Sequence, residues 1–273
     1  MTRAHLVTGG FPRGANAGHD MDYARLQLLQ ILSEYPDVVA TTANDYSDIA
    51  SWLDGTSLLI TYVAGPYPSD VENEAIRSWL EKGGRWFGLH GTSGGKAARI
   101  EGQQQRAMVK GSYHATLGGF FLNHPPLRKF TVRVQSAHPL ATNLPPAFEV
   151  ADELYLVEMQ GEHDVWLTTE IAADPSPPGF GFVYEEDTSV QGDGRTRVLG
   201  YTKEVGAGAV AYVSLGHCHS KSSNVQPFVD ASVSTEGETP PEFHGSWEID
   251  AFRQIVRNAV TWGIETQVEH SSG

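Results

Sequence analysis

Hydrophobic positions in the first third of the chain fall in short runs separated by amphipathic stretches. Leu6-Val7-Thr8 leads into a glycine-rich loop over residues 9–18. Tyr23, Leu26, Leu29 and Ile31-Leu32 then recur at helical spacing and stop at Tyr35-Pro36. Val38-Val39-Ala40-Thr41 and Ser57-Leu58-Leu59-Ile60-Thr61-Tyr62 read as strands, the second apolar on both faces as a central parallel strand is. Ser69 stands where it would cap a helix carrying Val71, Ala75, Ile76, Trp79 and Leu80, and Lys82-Gly83-Gly84 would close it. Residues 85–89 are the next strand. Strand and helix alternating over short connections predict right-handed βαβ units, a parallel sheet covered on both faces, and ligands at the carboxyl ends of its strands. The loops at 9–19, at 62–68 and from His90 onward all fall at that edge.

The middle of the chain is less regular. Phe130-Thr131-Val132-Arg133-Val134 alternates like a half-exposed strand. Leu154-Tyr155-Leu156-Val157 and residues 164–169 read as further strands, antiparallel ones. Residues 172–194, rich in Pro, Gly and acids, are expected to make an excursion over the surface. Residues 197–201 and 209–215 resume the sheet, the latter behind the turn signal Gly206-Ala207-Gly208. Residues 219–246 form a loop of the length used for lids or binding loops. Ile249, Phe252, Ile255-Val256, Ala259-Val260 and Trp262 give a closing helix. No repeat or linker divides the chain, so a single domain over residues 1–264 is expected, followed by a flexible tail at 265–273.

Composition narrows the function more than the fold. The net charge of −14 over 273 residues argues against a nucleic-acid partner, which needs a basic footprint, and against anionic membrane surfaces. A single cysteine, Cys218, excludes an internal disulfide framework and a multi-cysteine metal site. Neither a signal-peptide pattern nor an apolar stretch long enough to span a bilayer is present, so a cytoplasmic protein is expected. The pattern leaves a homo-oligomer open. No nucleotide cofactor is expected: Ser93-Gly94-Gly95-Lys96 resembles a phosphate loop only superficially, because the full motif is missing.

Candidate chemistry gathers at predicted strand ends. In Gly88-Leu89-His90-Gly91-Thr92, after Trp86-Phe87, a strand ends in the kind of turn that exposes one reactive side chain at the edge of an α/β sheet. The exposed residue is His90 where hydrolases and amidotransferases carry Ser or Cys. Gly216-His217-Cys218-His219 follows another strong strand, His19-Asp20 ends the first loop, and His124 lies in Leu122-Asn123-His124-Pro125. Imidazoles suit a divalent metal such as zinc or manganese, and they titrate near neutrality as general bases. His90, His124 and His217 are the expected metal set. His90, His217 and Glu153, from the pair Asp152-Glu153, are the expected catalytic groups. His19, Asp20, Tyr62, Tyr155 and His219 are the expected substrate contacts. Each histidine taken singly fits equally well as a strand-end residue bonded to a backbone carbonyl, and the paired acids fit a solvated strand entry. Cys218 alternates away from its histidine neighbours and reads as a small buried hydrophobe. Tyr62, Trp86, Tyr155 and Trp247 offer sugar-stacking surfaces, although core packing is the commoner use of such residues.

In this order, Gly83-Gly84-Arg85-Trp86-Phe87-Gly88-Leu89-His90-Gly91, Gly119-Phe120-Phe121-Leu122-Asn123-His124-Pro125, His138-Pro139-Leu140, Asp152-Glu153-Leu154-Tyr155, Gly216-His217 and Arg257-Asn258-Ala259-Val260-Thr261-Trp262 resemble the ThuA-like (trehalose-utilisation) family of the class I glutamine amidotransferase-like superfamily. The resemblance implies an α/β fold: a flavodoxin-like three-layer sandwich with a mainly parallel central sheet. It implies that His90 stands where the superfamily has its cysteine nucleophile and that His217 falls near its catalytic histidine. Glutamine hydrolysis needs a thiolate, so amidotransferase activity is not expected. The family's link to carbohydrate catabolism implies an enzyme, a lyase or hydrolase, whose small-molecule partner is a sugar or 3-keto-glycoside. The alternative is a non-catalytic sugar-binding or regulatory protein; a metal-dependent hydrolase of another small molecule is a third reading. Two departures stand out: Cys218-His219 where relatives often carry another polar residue, and a longer polar segment over residues 95–113.

Overall fold

The computed structural model describes residues 1–135 and 137–265. The expected tail therefore lies outside the described residues except for Glu265, which ends a helix. In chain order the elements are β1 (Thr2–Gly10), α1 (Met21–Leu32), β2 (Val38–Ala43), α2 (Ile49–Leu53), β3 (Leu58–Ala64), α3 (Asp70–Glu81) and β4 (Arg85–Leu89). Then come β5 (Lys96–Arg99), β6 (Arg106–Val109), α4 (Tyr113–Leu117), β7 (Gly119–Asn123), β8 (Arg128–Val134), β9 (Ala147–Asp152), β10 (Leu156–Met159), β11 (Asp164–Glu170), β12 (Thr196–Val205), β13 (Gly208–Val213) and α5 (Asp250–Glu265).

Local chemistry accounts for the helix ends. The Ser69 hydroxyl accepts from the Glu72 amide while the Glu72 carboxylate accepts from the Ser69 amide at 2.7 Å, a reciprocal cap on α3. Asp20 caps α1 by accepting from the Tyr23 amide at 3.0 Å. Alternation along the central strands builds the layers. Leu58, Ile60 and Tyr62 of β3 face one way and pack with α1 and α5, whereas Leu59 and Val63 face the other way with α2 and α3. Helices therefore cover both faces of one sheet, which is the three-layer sandwich.

That sheet has nine strands in the order β2-β1-β3-β4-β13-β12-β11-β8-β9. The first five pair in parallel, and from β13 onward every pairing is antiparallel. A mainly parallel sheet thus describes one half only. Gly206, at φ 63°, opens the two-residue turn between β12 and β13, and so short a connection can join only antiparallel neighbours. Outside this sheet β7 pairs with β10, and β5 with β6, each antiparallel. No helix among the described residues is long and apolar enough to cross a membrane.

Candidate active site

The turn after β4 has the geometry its sequence suggests. His90 sits at φ 45°, a left-handed conformation that a non-glycine residue holds only when its surroundings impose it. Gly91 lets the chain make that turn against β3, since a Cβ there would stand 2.3 Å from the Val63 carbonyl oxygen. The His90 ring, fully buried, points at three other groups carried by the carboxyl edge. His19 comes from the loop after β1, His217 from the turn after β13, and Glu153 from the connection between β9 and β10.

Ligand atoms of His19, His90, Glu153 and His217 all lie within 4.8 Å of one another. His90 Nε2 is 3.1 Å from His19 Nε2 and 3.2 Å from Glu153 Oε2, and His217 Nδ1 is 3.2 Å from Glu153 Oε1. Donors around a tetrahedral ion with bonds of about 2.0–2.2 Å stand roughly 3.4 Å apart, so the four fit a divalent cation.

The hydrogen-bond network assigns the tautomers. His90 Nδ1 donates to the Ser214 carbonyl (2.8 Å) and His19 Nδ1 to that of Ala17 (3.0 Å), which leaves both Nε2 lone pairs facing inward. His219 Nε2 donates to the Pro240 carbonyl (2.9 Å), so its Nδ1 accepts from His217 Nε2 (3.0 Å). His217 Nδ1 therefore also points an unshared pair at the centre, and it has no hydrogen-bond partner among the described residues. Three imidazole lone pairs and a carboxylate converge, each ring oriented by a carbonyl or a second histidine behind it.

Without a cation, one ring must take up a proton. Burial works against a charge on His90, yet the Glu153 hydrogen bond and charge outweigh it and raise the His90 pKa. Burial would raise the Glu153 pKa, but His124, His217 and His90 hold it well below the usual carboxylate range. His19 is pushed well below the usual imidazole value by burial and by the His217 and His90 charges. Behind the cluster, the buried Asp152 carboxylate accepts from the amides of Gly216 (2.9 Å), His217 (3.0 Å) and Glu153 (2.8 Å) and from the Ser246 hydroxyl. The two adjacent acids thus have separate tasks: Asp152 clamps the turn that presents His217, and Glu153 faces the cluster.

The cluster closes one end of a cavity of about 1030 Å³, with His19, Glu153, Tyr155 and His124 lining that end. Its walls carry Tyr67, Phe121, Phe180 and Phe182, and the Tyr155 ring also stacks on His90 with centroids 4.2 Å apart. The 172–194 segment does not simply cross the surface, because residues 179–182 turn back to line the cavity. The 219–246 loop adds Val225, Gln226 and Pro227 to the wall, and the Gln226 amide donates to Glu153.

The expected residues divide accordingly. His90, His217 and Glu153 come together, joined by His19 from among the expected substrate contacts. His124 stands outside the group of four, its Nε2 3.6 Å from Glu153 Oε1 and its Nδ1 2.8 Å from the Pro125 carbonyl oxygen. Asp20, Tyr62 and His219 are not among the cavity-lining residues. Asp20 caps α1, the Tyr62 hydroxyl donates to the Gly216 carbonyl (2.9 Å), and His219 backs His217. Trp86 and Trp247 are fully buried core residues, and Cys218 is buried with its thiol pushed up to about 12 by desolvation. Sequence reasoning overlooked the clamp at Asp152 and the aromatic wall. Phe180 and Phe182 lie in a stretch with no periodicity to mark them.

The family model for ThuA, described as trehalose utilisation, matches residues 11–230. The chain belongs to the ThuA family. Among solved structures, this ThuA family member resembles a protein described as ThuA-like from Bacteroides uniformis (TM-score 0.59, 17% identity, covering 96% of this chain and 91% of that one). A second, from Parabacteroides merdae, gives a TM-score of 0.57 at 15% identity, covering 97% and 90%. A glutamine amidotransferase from Thermotoga maritima gives 0.50 at 10% identity, covering 97% and 98%, and so shares the fold. No curated protein matches the chain.

Proposed function

We propose that this ThuA family member is a cytoplasmic carbohydrate-catabolic enzyme that acts on a 3-keto-glycoside at the His19–His90–His217–Glu153 cluster. The observation that carries this reading is the convergence of three imidazole lone pairs and one carboxylate at the end of an aromatic-walled cavity. Those four side chains would hold a divalent cation, zinc or manganese, since their donor types and spacing fit one. When bound, the ion supplies positive charge to a ketone or hydroxyl oxygen.

His124 is the base in this scheme. It lines the cavity beside Glu153, and its Nδ1 donates to Pro125, so the free lone pair is on Nε2. His124 takes the proton from the carbon next to the ketone as the bond from the neighbouring carbon to the glycosidic oxygen breaks. A carbon–carbon double bond forms, and the imidazolium returns its proton to the departing alcohol. Aromatic side chains such as Tyr155 and Phe121 hold the ring faces. Glutamine hydrolysis is not part of the reading, because the elbow carries His90 and the protonated Cys218 lies buried behind it.

The test is turnover of 3-keto-glycosides by the purified protein, with elemental analysis of the same preparation. About one divalent ion per chain is expected, and His124→Ala, His90→Ala and His217→Ala should each lower turnover by about 100-fold or more. Turnover that survives both His90→Ala and His217→Ala would remove this site. Sugars that raise the melting temperature without ever being turned over would overturn the enzyme in favour of a binding protein.

A further inference from the structure

The two long segments singled out in the sequence, residues 172–194 and 219–246, meet ring to ring beside the cavity. Phe180 of the first lines it and packs on Phe228 of the second, with centroids 5.4 Å apart. From there aromatic rings run without a break to the cluster. Phe180 meets the His124 ring edge-on at 5.9 Å, His124 lies 5.9 Å from Tyr155, and Tyr155 stacks on His90. Phe228 is 38% exposed, so the row joins the buried cluster to solvent.

Backbone contacts hold Phe180 in that row. The Gln105 side-chain amide donates to the carbonyls of Phe180 (3.1 Å) and Gly181 (3.2 Å). The buried Asn123 accepts from the Phe182 amide at 2.9 Å and donates to the Asp174 carboxylate at 3.1 Å. Gly181, at φ 71°, lets the segment lie against Asn123, since a Cβ there would stand 2.0 Å from Asn123 Oδ1.

The chemistry of this wall is one-sided. Among the described residues, Gln226 is the only side chain able to hydrogen-bond that the two segments place in it, and its amide nitrogen already donates to Glu153. Hydroxyls of a second sugar would face phenylalanine, valine and proline there, whereas an apolar group would cover them; Val225 alone is 70% exposed. Position selects the part of the substrate concerned. His124 returns its proton to the departing oxygen, so the group on that oxygen starts beside His124. Two other rings against His124, Tyr155 and Phe121, pack on each other at 4.3 Å, and Tyr155 turns toward the cluster. Phe180 is the ring that leads away from it.

We propose that the leaving part of the substrate is an uncharged aromatic aglycone held on Phe180 and Phe228. The substrate class is an aryl glycoside, not a disaccharide. This rests on the sugar reading above and adds the specificity of the same site.

Calorimetric titration of the native protein tests it with unoxidised glucosides as non-reacting probes. One carries a methyl group, one a naphthyl group and one a second glucose. The naphthyl probe should bind about tenfold or more tightly than either of the others. Phe180→Ala and Phe228→Ala should each lower the ratio of naphthyl to methyl affinity by about threefold or more. The ratio is taken within each variant, so a general loss of binding cannot mimic the effect. Phe228, at the surface, keeps the test open if Phe180→Ala fails to fold. A naphthyl probe no tighter than the methyl or glucosyl one, or a ratio untouched by the substitutions, overturns the aromatic specificity alone. Failure of all three probes to bind removes the sugar reading and this proposal with it.

Discussion

Single residues in this protein show how burial turns a common side chain into one with a defined task. His217 and His219 are two apart in sequence, yet one faces the cluster and the other serves only to orient it, because the Pro240 carbonyl fixes the second ring's proton. A histidine far from the cavity illustrates the cost of burial. His5 on β1 is fully buried and stacked on Trp52 at 5.0 Å, with Nε2 unpartnered among the described residues, and desolvation lowers its pKa from 6.5 to about 4. Between those values the unfolded chain binds a proton that the folded protein refuses. Stability from this group is therefore complete above pH 6.5 and declines as pH falls toward 4. His5→Phe, which keeps the stack, should reduce the loss of unfolding free energy between pH 7.5 and 5 by about 2 kcal/mol, read from urea denaturation. An unchanged pH slope would show that His5 is not the residue responsible.

Elements explain which parts of the site the sequence disclosed. β1, β3, β4 and β13 announced themselves as short apolar runs, and each of the three cluster histidines follows one of them. α3 and α5 were legible because their apolar positions keep helical period over several turns, with a reciprocal cap marking the start of α3. β5, β6, α4 and β7 are only four or five residues long, too short for any period to emerge, and so the cavity wall they build was invisible. The roles of Asp152 and Glu153 depend on how the chain bends between β9 and β10, which no local pattern records. Replacing the clamp tests that division. Asp152→Ala would leave three backbone amides and the Ser246 hydroxyl without their acceptor, a loss of about 3 kcal/mol or more in unfolding free energy. Loss of less than about 1 kcal/mol would mean that the turn holds its shape unaided.

At the scale of the whole molecule, the sheet has a parallel half inherited from βαβ units and an antiparallel half joined by tight turns. The sequence disclosed the first half through its strand–helix alternation, but its irregular middle gave no hint that β8 and β9 extend the same sheet. The excursion over residues 172–194 is pinned to this frame by Arg197, whose fully buried guanidinium meets both Asp187 carboxylate oxygens at 2.9 and 2.7 Å. Burial opposes ionisation of Asp187, but Arg197 and Ser189 hold its pKa below the usual value. The anchor therefore contributes fully above the ordinary carboxylate pKa and is lost as pH falls through the lowered one. Asp187→Asn should expose the segment to limited proteolysis at neutral pH, and a cleavage rate equal to that of the parent would argue against the anchor.

The convergence of four side chains also has a consequence for the chain as a polymer. His19, His90, Glu153 and His217 are separated along the backbone by roughly 60–70 residues each, so whatever grips all four ties three long loops into one knot. An unfolded chain cannot assemble that knot without a large loss of conformational freedom. Occupancy of the site is thus a crosslink between the sheet's two halves, and ligand concentration sets how firmly the fold is fastened.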